Sequence, residues 1–133
     1  MAARQWLAAA GANGALAVAA GAYAAHGLAS ADQPAVHAFE TAVRYHMWHA
    51  LALVGVAALM GHEEAAGGAM GWLKASAFAF VLGIVLFCGG LYVRVLAGSQ
   101  ALSGTIPVGG LAFIVGWLCL AGHGLTKRAP GRG

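Results

Sequence analysis

Formal charge is what this sequence has least of. Its 133 residues include 7 Lys and Arg and 4 Asp and Glu, 8% in all, where a soluble domain carries about one quarter. So few charges cannot cover the surface of a soluble fold, which excludes water as the main solvent. Cysteine is almost as scarce. Cys88 and Cys119 lie inside apolar runs without CxxC or Cys/His finger spacing, which excludes a disulfide framework. There a thiol is a small packing residue rather than a nucleophile or metal ligand. The basic residues form no stripe with interleaved aromatics, which excludes a nucleic-acid surface. The alternation of a membrane β-barrel is also missing.

What is there is apolar, 61% of the chain. A spanning helix needs about 20 apolar residues, because about 30 Å of hydrocarbon is crossed at about 1.5 Å per residue. Four segments meet that length: 6–25, 39–60, 75–93 and 106–125. Unpaired backbone amides are not tolerated in lipid, so each reads as a helix. The expectation is one all-α integral membrane domain over 1–133, a bundle of four transmembrane helices. Asp32 with Pro34, and Thr105 with Pro107, can start the second and fourth helices. The Gly-rich and acidic stretch 63–71 reads as a turn.

Arg4, the first apolar run and Ala22-Tyr23-Ala24 also resemble a secretory signal and its cleavage site. The run is longer than the usual h-region of about 7 to 15 residues, which favours a retained first span. Arg4, Lys74, Lys127, Arg128 and Arg132 fall at span ends on one side, Arg44 and Arg94 on the other. That asymmetry places both termini in the cytoplasm and loops one and three outside. Gly14, Ala17, Gly21 and Ala25 share one face of the first helix, a small face suited to close bundle packing. A homo-oligomer interface is the alternative use of that face.

Chemistry, if any, belongs to the second span, because ionisable groups at membrane depth are costly. Glu40 and Arg44 are four apart with the acid first, the favourable order for a structural ion pair. His46 and His49 are three apart on a roughly opposite face, beside Tyr45. Two imidazoles at that spacing can share a metal or pass a proton, with His26 and His37 as added candidates. No third ligand and no HExxH pattern appears, so the bland reading is a hydrogen bond to a neighbouring helix. His62 and His123 are placed near the inner surface, in contact with water or headgroups. Trp6, Trp72, Tyr92 and Tyr23 read as interfacial anchors, and Trp48 and Trp117 as residues packed in the bundle.

Four ordered strings carry a resemblance: Gly21-Ala22-Tyr23-Ala24-Ala25-His26-Gly27-Leu28, Phe39-Glu40-Thr41-Ala42-Val43-Arg44-Tyr45-His46-Met47-Trp48-His49-Ala50-Leu51, Leu86-Phe87-Cys88-Gly89-Gly90-Leu91-Tyr92 and Ile106-Pro107-Val108-Gly109-Gly110. From about Gly11 to Trp117 the chain resembles the YgdD-like family of small inner-membrane proteins of unknown function, which has a mitochondrial relative called transmembrane protein 256. The resemblance implies a retained first span, four spans in all and an inner-membrane location, but no reaction. It also marks His26, Thr41, Tyr45 and His49 as matching the family pattern. His46 stands where relatives more often carry Gln, Cys88 where Ser is frequent, and Arg94 where an apolar residue is usual, so a metal site built on His46 is not supported.

Two functions remain from different classes. The first is a non-enzymatic accessory or assembly protein, or a lipid- or quinone-binding scaffold, with no catalytic residue, cofactor or metal. Its partners would be membrane lipid and a membrane protein or second copy, with no nucleic acid. The second is a proton or metal-ion transporter or channel in which His49, with His26 and His46, lines an outward path.

Overall fold

Residues 2–126 are described by a computed structural model. Lys127, Arg128 and Arg132, three of the basic residues behind the orientation, lie outside the described residues. The elements are α1 (Ala2–Gly27), α2 (Gln33–Ala66), α3 (Gly71–Gly83), a π-helical turn (Ile84–Cys88), α4 (Gly89–Leu96) and α5 (Thr105–Thr126). No strand occurs among the described residues. α3, the π turn and α4 are consecutive parts of one rod, Gly71–Leu96.

The helix ends follow local chemistry. The Asp32 carboxylate accepts the Ala35 amide at 3.3 Å, and Pro34 occupies the first turn, where a missing amide costs nothing. α2 stops at Gly67, whose φ of 66° is open to glycine at little cost. The stretch read as a turn from residue 63 is therefore helical as far as Ala66. The reason is that Glu63 is not a loop acid. It is buried, and its carboxylate lies 3.3 Å from His123 Nε2 of α5.

α1 packs along α2, and α3 with the π turn packs along α5, so two helical hairpins meet through α2. Leu53, Met60, Leu73, Phe80 and Cys88 are sealed at the centre. Cys88 is thus core packing, as its apolar surroundings predict. Outward, large apolar side chains stand bare: Phe78 is 65% exposed and Leu118 64%. A surface of that kind suits lipid and would be a liability in water.

Ala2–Gly27, Gly71–Leu96 and Thr105–Thr126 are long and apolar enough to cross a membrane. α2 is the longest helix at 34 residues. Its first half carries the Glu40, Arg44, His46 and His49 that make it anomalous in sequence.

Glycine brings the second hairpin together. A Cβ on Gly109 would collide with the backbone of Phe87 in the π turn, so only glycine lets α5 approach there. At the same contact the Thr105 hydroxyl reaches the Leu86 carbonyl at 3.0 Å and the Leu102 carbonyl at 2.7 Å. The Thr105 hydroxyl thereby ties the start of α5 to the backbone of the π turn. Deeper in the rod, the Ser76 hydroxyl donates to the Gly116 carbonyl at 2.8 Å.

Candidate functional site

His49 is buried in the middle of α2 and both of its ring nitrogens are engaged. Nδ1 lies 2.7 Å from the Tyr45 carbonyl, one turn back, so it must carry the proton and donate. Nε2 is 3.2 Å from Trp117 Nε1, an indole N–H that can only donate, so Nε2 accepts. The two bonds together define one neutral tautomer. The ring lies flat on Phe113, with centroids 3.6 Å apart and planes 10° from parallel, and Phe80 is 5.4 Å away. Phe113 reaches this position because residue 83 is glycine, and a Cβ there would meet its ring.

This histidine edges a cleft of about 620 Å³ between α2, the π turn and α5. Its walls are flat and apolar: Tyr45, Trp48, Phe87, Phe113, Ile114 and Trp117. Trp48 and Trp117 were expected inside the bundle. They are instead 51% and 48% exposed and form the outer lips of the cleft. The correction has a physical cause, since α5 packs on α3 and the π turn rather than along α2, and the space left between α2 and α5 is the cleft that the two indoles border.

His46 is buried on another side of α2. Its Nε2 is 3.2 Å from Asn13 Oδ1 of α1, and its Nδ1 is 3.2 Å from the Tyr92 hydroxyl of α4. The Asn13 amide donates to the Ala9 carbonyl, which leaves Oδ1 to accept from His46. This Asn13–His46–Tyr92 chain ties three helices, and its His46 and Tyr92 border a second hollow of about 700 Å³, walled by Leu16, Ala20, Tyr23 and Phe39. His46 and His49 therefore serve different partners and do not converge on one site. Asn13, Tyr92 and Trp117 were the missed partners. The signal for Asn13 was in plain view, as a lone amide in an apolar run needs a partner at membrane depth.

The other sequence candidates lie apart. His26 is exposed in the last turn of α1, and helix rise puts it about 20 Å along α1 from Asn13. Thr41 donates to the His37 carbonyl of its own helix at 2.8 Å. Tyr45 belongs to the His49 cleft, its ring 4.9 Å from that of Phe87. Glu40 and Arg44 are both exposed beside α1. Among the described residues no salt bridge joins them. A buried acid–histidine contact is the unforeseen Glu63–His123 pair, and His123, expected at water or headgroups, is only 7% exposed.

Residues 20–110 match the family described as "Protein of unknown function (DUF423)". The chain belongs to this family. As a DUF423 protein it is 40% identical over 111 residues to the UPF0382 membrane protein YwdK of Bacillus subtilis, covering 81% of this chain and 85% of that one. It is 35% identical over 119 residues to the UPF0382 inner membrane protein YgdD of Escherichia coli, covering 87% and 86%. A UPF0382 membrane protein of Haemophilus influenzae is 35% identical over 112 residues, covering 82% and 84%. No solved structure matches it. With its apolar helices and bare apolar surface, this family member is a multi-pass inner-membrane protein. The family match takes in His46, His49 and Tyr92, while Asn13, Phe113, Trp117 and His123 fall outside it.

Proposed function

We propose that this chain is a non-catalytic membrane scaffold whose His49 cleft holds a planar, carbonyl-bearing apolar molecule of the isoprenoid quinone class. The observation that carries this reading is the shape and chemistry of the cleft. Flat aromatic walls suit a flat ring, and the Tyr45 hydroxyl and Trp48 indole N–H, without hydrogen-bond partners among the described residues, offer donors to carbonyl oxygens. His49 itself is occupied by Tyr45 and Trp117, so it acts as a fixed wall rather than as a proton or metal carrier.

The same reading takes the chain as one four-span domain with both termini cytoplasmic. At 34 residues, α2 is about 51 Å long, well above hydrocarbon thickness, so its polar first turns reach the interface. The experiment is to purify the full chain in mild detergent and measure co-purifying quinone by its oxidised-minus-reduced ultraviolet spectrum. Near-stoichiometric quinone is expected. It should be lost in Gly110→Leu, where a Cβ meets nothing nearer than Phe87 Cδ2 at 3.9 Å and the side chain grows into the cleft. Absence of quinone, or retention unchanged in a folded Gly110→Leu protein, would overturn the reading.

A further inference from the structure

Glu40 and Arg44 are the charged residues of α2 closest to its start, and the sequence pairs them with each other. Both are exposed, and among the described residues neither makes a salt bridge or hydrogen bond. They line one groove of about 570 Å³ between α1 and α2, with Gly21, Ala24 and Val43 along its floor and Met47 and Trp48 beyond. The floor is low because the α1 side is built of small residues. A Cβ on Gly21 would already reach Val43 Cγ1 at 3.4 Å.

Two unpaired opposite charges at the edge of hydrocarbon are costly unless something answers them. The order along α2 says what kind of molecule answers both. Glu40 is nearest the helix start, Arg44 lies one turn, or about 6 Å, deeper, and the apolar Met47 and Trp48 follow. From water inward the groove therefore wants a cation with N–H donors, then an anion with several acceptor oxygens, then hydrocarbon. Arginine suits a phosphate through its fork of donors, and a carboxylate suits an ammonium.

The geometry points to a specific site for a zwitterionic phospholipid carrying a primary ammonium, of the phosphatidylethanolamine class. Its ammonium is held by Glu40, its phosphate by Arg44, and an acyl chain lies inward of them along Ala17, Val18 and Met47. An anionic headgroup fits less well because it leaves Glu40 unanswered and repelled. A choline headgroup offers charge but no N–H donor. This site is separate from the His49 cleft, although Trp48 borders both. Loss of one therefore leaves the other intact.

The test is native mass spectrometry of the full chain with phosphatidylethanolamine, phosphatidylcholine and phosphatidylglycerol of identical acyl chains in equal amounts, with quinone content followed in the same samples. The ethanolamine lipid should be retained about three- to fivefold over the other two, the scale of one partly exposed ion pair. Glu40→Gln should bring it down to the choline level. Arg44→Gln should weaken all three, while Arg94→Gln, an exposed arginine on another helix, should change nothing. Equal or stronger phosphatidylglycerol retention by the unmodified chain overturns the proposal without any variant. So does a preference that survives Glu40→Gln, a loss in Arg94→Gln matching that in Arg44→Gln, or a dimer of the chain in place of bound lipid.

Discussion

A second proton on His49 would have to sit on Nε2, where the Trp117 indole N–H already points. The residue is therefore built as a neutral hydrogen-bonding piece. His49→Gln can still accept from Trp117 and should keep most of the thermal stability in detergent. His49→Leu strands the indole N–H and should cost about 1 to 2 kcal/mol more, on the scale of one lost bond. Equal melting temperatures would mean that the Trp117 bond contributes nothing. The importance of His49 was legible because an imidazole in an apolar run has to be explained. Its partner was not, because a tryptophan in a span reads equally well as an anchor, a core residue or a donor. The same ambiguity hid Tyr92, taken for an interfacial anchor, until α4 placed its hydroxyl 3.2 Å from His46.

Between elements, contact is set by glycine and by the buried Glu63–His123 contact. Gly109→Ala should push the π turn off α5 and cost about 1 to 3 kcal/mol, the usual penalty of overpacking. Gly110→Ala, with 3.9 Å of room, should be near neutral, and paired melting curves would separate the two. Glu63→Leu removes the carboxylate that faces His123 and should destabilise by about 2 kcal/mol or more, because a buried polar partner is left behind. If its melting curve overlays that of the unmodified chain, the pair carries no stability. Helix existence and the cap at Asp32 were readable from local residue chemistry. The Glu63–His123 contact was not, since residues 60 apart in sequence share no local pattern and an acid beside a Gly-rich stretch reads as loop. Nor does any spacing rule announce a π turn.

Over the whole molecule, positive charge and apolar length suggest a direction. With four spans, a reporter active only outside the cytoplasm should be silent when fused at the C-terminus and active in the 28–32 connection, and the reverse pattern would invert the topology. The architecture shows why the bundle was easier to read than its sites. Lipid dictates helices from composition alone, whereas which polar side chains meet depends on the azimuth of each rod about its own axis. There the π turn has its effect. Five residues in one wide turn, closed by the Gly89 amide on the Ile84 carbonyl, advance the helix by one residue beyond α pitch, a phase change of about 100°. The Gly71–Leu96 rod can thereby aim one half at α5, through Phe80 and Gly83, and its other half at α2, through Tyr92. Excise Val85, which is 61% exposed, and the rod would regain a single phase. Tyr92 would then swing out of reach of His46, and the two hairpins would lose their common register.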